Sequence, residues 1–477
     1  MMIRSLMSLL LLLFLASCGR APKEIVPTGS ERPNILFIAV DDIRPELGCY
    51  GHPVVKTPHI DALAAAGTLF TRAYCNVPVC GASRASIMTG LRPTRGRFVN
   101  YTARIDREAP GVPTIHRFFR DSGYQTVSLG KILHFPDDAA DGWSQHPWRP
   151  DYTNAVETDP RNYLLPTNRE IAAQHPRNAA AAFERADVDD DAYYDGKTAA
   201  RAVASLKDLA AGDAPFFLAV GFLKPHLPFN APEKYWAMYD SIDIDVPATY
   251  YRADGTPEAI YHNSGELRNY VGVPKEKVLP VAYARQLIHG YYAATSYMDA
   301  NVGRVLAALE ASGEADNTIV VLWGDHGYNL GDHTLWNKHS VFNTSLRVPL
   351  IIRAPGFARG QVTAALSEYV DLFPTLADLA GMEKPNGLDG ESLTGALNDP
   401  VTAGKDAVFT RWKNADNVTT RNYSYSEWTD DSGKVYARTL FDHRTDSLEV
   451  NNLAEQGAMR QVVKQLSGLL NASRRFN

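Results

Sequence analysis

The sequence predicts an α/β fold: a large mixed, mostly parallel central sheet flanked by helices, with a small C-terminal antiparallel-sheet subdomain. Three observations point there. Continuous apolar runs at 34–40, 215–220 and 318–323 read as strands buried on both faces. Helical patterns lie between them, the alternation expected of a layered α/β protein. Beyond about Asp399 the runs become short and alternating, as at 407–412 and 436–441, which suggests antiparallel strands.

Taken in order, Pro33 opens the first strand, which ends in Asp41-Asp42. Two adjacent carboxylates at the carboxyl end of a buried strand are costly unless a cation neutralises them. Open α/β sheets place their sites at such ends. Thr57-Pro58 reads as N-cap and first residue of a helix running to about Leu69. Cys80 stands at or just before the start of a short helix that Gly90 stops. An anion is favoured at that helix end, and Arg84, one turn in, adds a planar guanidinium suited to tetrahedral oxyanions.

A helix over about 113–121 leads to a strand over 124–129, which delivers Lys131 and His134 just past its end. From 136 to about 195 the chain is rich in Asp, Pro and Trp and reads as a long irregular excursion over the site. Trp143 and Trp148 in it suit either sugar stacking or local packing. A helix over about 196–209 precedes the strand ending at Val220, after which prolines pin Lys224 and His226. Residues 230–280 read as a substrate-side loop layer, and a long helix spans about 281–311. The strand 318–323 ends in Gly324-Asp325-His326-Gly327, a second acidic strand end. Asp41, Asp42, Asp325 and His326 make an oxygen-rich set with one imidazole, which favours Ca2+ or Mg2+ over zinc. A strand at 348–353 and a helix over about 369–380 complete the layers, with Pro374 predicting a kink or an early turn. A terminal helix over about 456–470 covers the C-terminal strands.

The 477 residues, 45% of them hydrophobic, allow a large core. A net charge of −6 offers no global basicity to recruit nucleic acid, so an anionic substrate needs a local basic pocket. Arg4, an apolar run from Leu6 to Leu15 and then Ala16-Ser17-Cys18 have the layout of an export signal, and the run is short for a spanning helix. Cys49 and Cys75 either pair or remain two buried thiols.

In this setting Cys80-Gly81-Ala82-Ser83-Arg84, with Thr89-Gly90 and the basic cluster Arg92, Arg95 and Arg97, resembles the signature of type I sulfatases. Ala82 stands where the commoner form has Pro. Gly130-Lys131-Ile132-Leu133-His134 resembles the family's Gly-Lys-x-x-His element, and Lys224-Pro225-His226 that of the iduronate-2-sulfatase-like group. Asp325-His326-Gly327 and Lys338 continue the family order. The resemblance implies an alkaline-phosphatase-like sandwich and a sulfuric ester hydrolase acting on a sulfated polysaccharide or oligosaccharide, a 2-O-sulfated uronate fitting the subgroup. It implies that a maturation enzyme converts Cys80 to formylglycine, whose hydrate attacks sulfur. It implies a Ca2+ or Mg2+ ion on Asp41, Asp42, Cys80, Asp325 and His326, with Arg84 helping to hold the nucleophile ionised. Lys131 and Lys338 would bind the sulfate, His134 would support the formylglycine, His226 would protonate the leaving alcohol, and Tyr328 and His339 would contact the sugar.

The start of the chain resembles a bacterial lipoprotein signal, implying a signal peptide at 1–18, lipid on Cys18 and a tether at 19–31. The catalytic domain would then cover 32–399 and a C-terminal subdomain 400–477. Gly19 after the cysteine favours outer-membrane sorting by the same resemblance. The expected location is therefore the cell envelope, outer membrane or periplasm, with membrane contact through the lipid only. Two other readings stay open: a phosphodiester or phosphonate hydrolase of the same superfamily, and a non-catalytic polysaccharide-binding lipoprotein.

Overall fold

The computed structural model describes residues 32–150, 163–402 and 404–475. Cys18 and the tether therefore lie outside the described residues. In chain order the strands are β1 (Asn34–Val40), β2 (Thr68–Tyr74), β3 (Gln125–Gly130), β4 (Phe183–Ala186), β5 (Phe216–Phe222), β6 (Phe229–Pro232), β7 (Thr318–Gly324) and β8 (Asn329–Leu330). Then come β9 (Trp336–Asn337), β10 (Arg347–Arg353), β11 (Gln361–Thr363), β12 (Ser367–Glu368), β13 (Ala407–Trp412), β14 (Ala415–Thr420), β15 (Tyr423–Thr429) and β16 (Val435–Asp442).

An eight-stranded sheet runs in the order β11-β2-β10-β7-β1-β5-β3, with β12 also paired to β2. β1 is parallel to β5 and β7, and β3 to β5, while β10 runs antiparallel to both β7 and β2. This is the mixed, mostly parallel sheet that the sequence predicts. β1, β5 and β7 are buried along their whole length because both faces are covered. Ile35, Phe37 and Ala39 face one apolar cluster, shared with Ala82, Ile87, Ile115 and Phe373. Leu36, Ile38 and Val40 face the other, shared with Ile60, Ala199, Leu206, Met298 and Val302. Strand alternation thus turns one apolar run into two sheet faces, each under its own helices.

The register decides where the chemistry goes. Val40 lies opposite both Phe222 and Gly324, and Gly130 opposite Gly221. Residues 41–42, 131–134, 223–226 and 325–326 therefore leave the sheet together at its carboxyl edge. Gly130 permits this closeness: its φ is +73°, and a Cβ there would stand 2.1 Å from the Gly221 carbonyl oxygen.

Two expectations need correction. The first helix is Pro58–Ala66 and does not reach Leu69, because Thr68–Tyr74 pairs as β2 between β10 and β11. Leu69 is apolar on either assignment, so pattern alone extended the helix. The stretch 136–195 is less irregular than expected, since it contains the helix Pro166–Gln174 and β4. Of the two outcomes expected at Pro374 the kink is not found and the early turn is: a 3-10 turn at Tyr369–Asp371 precedes the helix Leu372–Leu379, and Pro374 sits in its first turn, where no intrahelical donor is lost.

β13 to β16 form a four-stranded antiparallel sheet, and the helix Arg460–Arg475 covers one face through Leu466 and Leu470 on Val418, Tyr425 and Leu440. Cys49, Cys75 and Cys80 are free thiols, so Cys49 and Cys75 do not pair. Among the described residues, no helix is long and apolar enough to cross a membrane.

Candidate active site

Cys80 opens the helix Cys80–Thr89, which Gly90 ends in the left-handed conformation. The helix is buried throughout and is anchored to the end of β7 by Ser83, whose hydroxyl donates to the Asp325 carbonyl at 2.5 Å. Gly81 is required here for a different reason from Gly130. A Cβ on it would meet the Tyr101 carbonyl at 2.1 Å, so only glycine lets the 101 loop close over the helix start. Cys80 is 4% exposed and forms part of the wall of a cavity of about 810 Å³. Burial pushes its thiol up, but Lys131, Lys338 and hydrogen bonds with His134 and His326 outweigh it and hold the group well below the usual thiol range.

Ligand atoms of Asp41, Cys80, Asp325 and His326 all lie within 4.8 Å of one another. These four come from β1, the Cys80 helix and β7, and all are buried. His326 Nδ1 is 3.0 Å from the Gly327 carbonyl, and the buried Nε2 is turned to the Cys80 sulfur and to Asp42 Oδ1 and Asp325 Oδ1 at 3.5 and 3.6 Å. An imidazole held by a backbone carbonyl with its other nitrogen aimed among carboxylates and a thiol is the arrangement of a metal ligand. With Asp41 and Asp325, the donor set fits a hard divalent cation. Asp42 is brought alongside rather than into this group: Oδ1 is 3.5 Å from His326 Nε2, while both carboxylate oxygens accept from Lys338 Nζ at 2.9 and 3.0 Å. It also forms part of a neighbouring cluster with His226 and Glu266.

Arg84 does not face the cavity, contrary to the expectation of an oxyanion-binding guanidinium. Its side chain is fully buried. Nε donates to Asp325 at 2.9 Å, Nη2 to Asp41 at 3.2 Å, and Nη1 to the carbonyls of Lys131 and Ile132. Every nitrogen is occupied by the protein, so Arg84 is the fixed counter-charge of two candidate metal ligands. Lys131 Nζ donates to the other oxygen of Asp41.

His226 and Lys338 meet across Glu266. Glu266 Oε1 lies 3.1 Å from His226 Nε2 and accepts from Lys338 at 2.8 Å, leaving Oε2 buried without a partner. Burial disfavours the His226 cation, but Asp42 outweighs it and the pKa rises to about 9, so the ring is protonated at neutral pH. Its Nδ1 is 2.6 Å from the Leu227 carbonyl. Lys224 turns inward instead, donating to the carbonyls of His226 and Pro228, and so shapes the turn rather than the cavity.

The cavity wall also includes His134, His226, Lys338, His339, Tyr101 and Glu266. His339 is half-buried and stacked on Trp412, with ring centroids 5.0 Å apart. Tyr328 is not on that wall. It is fully buried, stacked on Tyr291 and bonded to Asn337 Nδ2 at 2.9 Å, so its hydroxyl supports the floor and does not reach a sugar here. Trp143 stacks on His116 at 4.2 Å and Trp148 packs on the second apolar cluster, which makes both packing residues. Glu266 escaped sequence reasoning, since a lone acid in an irregular loop carries no pattern. Arg177, Asn269 and Tyr270, which join it at the cavity, escaped for the same reason.

Strand-end carboxylates, a buried imidazole and a thiol at a helix N-terminus, set beside two lysines and a second histidine, make a site suited to ester hydrolysis on an alkaline-phosphatase-like fold, with a cluster that could hold a cation. The chain belongs to the sulfatase family: residues 33–382 match the family described as Sulfatase. Residues 331–475 match that of the N-sulphoglucosamine sulphohydrolase C-terminal region. Human iduronate 2-sulfatase is 32% identical over 389 residues, covering 74% of this chain and 70% of that protein. Among solved structures, BT4656 in complex with its substrate D-glucosamine-2-N,6-O-disulfate superposes with a TM-score of 0.72 at 20% identity, over 94% of this chain and 98% of that one. The phosphonate monoester hydrolase of Agrobacterium radiobacter gives a TM-score of 0.73 at 24% identity, over 93% and 96% of the two chains, which speaks to shared fold. The protein is a sulfatase, a sulfuric ester hydrolase.

Proposed function

We propose that this sulfatase removes sulfate from sulfated saccharides, a 2-O-sulfated uronate being the favoured substrate, with Cys80 matured to formylglycine as the nucleophile. The observation that carries the reading is the position of Cys80: its sulfur lies within 4.8 Å of ligand atoms of Asp41, Asp325 and His326, at the wall of the large cavity. The relationship to iduronate 2-sulfatase supports the saccharide class and the uronate.

A sulfate ester needs charge neutralisation, a positioned nucleophile and an acid for the departing alcohol. Asp41, Asp325 and His326, with Asp42 adjoining, would hold a Ca2+ or Mg2+ ion, which when bound supplies charge neutralisation for the attacking oxygen and the sulfate. The matured side chain supplies two geminal hydroxyls: one takes the sulfate, and the other expels it as the aldehyde re-forms. Lys131 and Lys338 spread the charge that develops on the sulfate oxygens. His134 holds the nucleophile through its hydrogen bond with the residue at 80. His226 gives its proton to the leaving sugar oxygen. His339 meets the sugar from the Trp412 side of the cavity. The conversion requires a maturation enzyme, and export with lipid on Cys18 places the protein at the cell envelope.

The test combines two measurements. Peptide mass spectrometry of the protein from its native host is expected to find residue 80 as an aldehyde. A panel of defined sulfated saccharides, with aryl sulfate and aryl phosphate esters alongside, is expected to show fastest turnover on a 2-O-sulfated uronate. An unmodified thiol in active protein would overturn the nucleophile, and faster turnover of the phosphate esters would overturn the substrate class.

A further inference from the structure

The wall of the active-site cavity carries one cation that the chemistry above does not use. Arg177 lines it together with Cys80, His134, His226, Lys338 and Asn269, so a ligand at the reacting centre shares a chamber with this arginine. Of the other cations on that wall, Lys338 is held by Asp42 and Glu266, and His226 by Glu266. Arg177 is exposed, and among the described residues its guanidinium has neither a carboxylate partner nor a hydrogen bond. Asn269 is half-buried, and its side-chain amide likewise has no partner among the described residues. A planar guanidinium and an amide, both open to one cavity, offer several N–H donors to an anion.

The arginine is displayed from a fixed turn. After the helix Pro166–Gln174, His175 Nδ1 accepts from the backbone N–H groups of Arg177 at 3.3 Å and Ala179 at 3.4 Å. Asn178 turns the chain at a φ of +51°, a conformation that asparagine tolerates. Ala179 and Ala180 are buried, and the Tyr163 hydroxyl accepts from the Ala180 N–H at 3.1 Å and donates to the Ala181 carbonyl at 2.8 Å. The Val271 N–H donates to the Ala180 carbonyl at 2.8 Å, and Ala181 bridges to Val271. These bonds tie the Arg177 turn to the segment that carries Glu266 and Asn269. Glu266 in turn holds His226 and Lys338, so the backbone on both sides of the open donors is anchored to the catalytic cations.

A 2-O-sulfated uronate brings two anions into the cavity: the sulfate that reacts and a carboxylate that does not. Lys131 and Lys338 attend the sulfate, and the carboxylate needs a cation of its own. We infer that Arg177, assisted by Asn269, binds the carboxylate of the uronate ring and thereby selects acidic sugars over neutral ones bearing the same sulfate. The inference rests on the saccharide reading above and deepens it, because it names the residue that reads the acid. Arginine suits the task, since its fork matches the two oxygens of a carboxylate.

The test is steady-state kinetics on the full-length, matured protein. A disaccharide ending in a 2-O-sulfated uronate is compared with its carboxyl methyl ester, each with and without a sulfate on the neighbouring ring. The enzymes are the parent, Arg177→Ala, Arg177→Lys and Asn269→Ala. The parent is expected to favour the acid over the ester by about tenfold to a hundredfold in kcat/KM, mostly through KM. Arg177→Ala is expected to erase that preference by raising KM for the acid with little change in kcat, Asn269→Ala to narrow it, and Arg177→Lys to keep part of it. A parent that treats acid and ester alike, or an Arg177→Ala variant that loses equally on both, would overturn the assignment. A loss confined to substrates with a sulfated neighbouring ring would overturn it as well, giving the arginine to that sulfate. If the parent hydrolyses 4-nitrophenyl sulfate but neither acid nor ester, the uronate reading itself falls and takes the inference with it. Circular dichroism of each variant establishes that its fold is intact.

Discussion

Arg84→Met tests the claim that this arginine acts on the metal ligands and not on the substrate. The substitution removes a fully buried cation from Asp325 at 2.9 Å and Asp41 at 3.2 Å, and it strips two carbonyls of their donor. Removing one member of a buried pair costs about 3–5 kcal/mol, because the charge left behind is uncompensated. A carbonyl left without its hydrogen bond adds about 1–3 kcal/mol where water cannot reach it. A loss of at least about 3 kcal/mol is therefore expected, against total stabilities of about 5–15 kcal/mol. With an m-value of about 3 kcal/mol/M, the urea midpoint falls by about 1 M in a chelating buffer. Calcium is expected to narrow the gap, since the more negative site binds a cation more strongly and linkage returns part of the loss. Arg84→Lys keeps the charge but cannot reach four acceptors, so it should lie between. A variant within about 1 kcal/mol of the parent in chelator, or a gap that calcium leaves unchanged, would refute the reasoning.

Cys80→Ser leaves an alcohol with no second hydroxyl to expel sulfate, so incubation with substrate is expected to give a stable sulfated protein by intact mass and no turnover. His226→Ala is expected to slow hydrolysis of a sugar sulfate by about 10²–10⁴-fold. It should change that of 4-nitrophenyl sulfate little, because a good leaving group needs no proton. With the His226 pKa raised to about 9, its proton is present below that pH and lost above it, so sugar-sulfate turnover in the parent should fall above about pH 9. Asp299 accepts from the backbone of His59 and Ile60 at the start of the first helix, and burial pushes its carboxyl up to about 7. The unfolded chain releases this proton near pH 4 and the folded chain near 7, so the group's contribution to stability declines between those values and is flat above. Asp299→Asn keeps an accepting oxygen and cannot ionise. Its Tm relative to the parent should therefore rise from pH 5 to pH 8, and a difference that does not move with pH would refute the assignment.

Strand-end chemistry was legible from the sequence because its signals are local. A buried apolar run followed at once by Asp41-Asp42, Lys131, His226 or Asp325-His326 states both the strand and the site at its end, and parallel order then sends those ends to one edge. The Cys80 helix start and its Gly90 stop were readable for the same reason, since cap and breaker residues act over one turn. What each charged group does once there depends on which neighbours reach it. Arg84 looks like an anion binder in one dimension, and only packing shows its nitrogens consumed by Asp41, Asp325 and two carbonyls. Tyr328 lies close to the site in sequence and beneath it in space. Glu266 has no local signal at all, yet it bridges His226 and Lys338, because residues distant along the chain are joined by loops whose paths no periodicity records. The sequence by itself determined the sheet, its acidic and basic edge and the reactive thiol. The tertiary structure alone decided which charges neutralise each other and which remain open to the cavity, since pairing is set by side-chain distances of a few ångström that spacing along a chain does not encode.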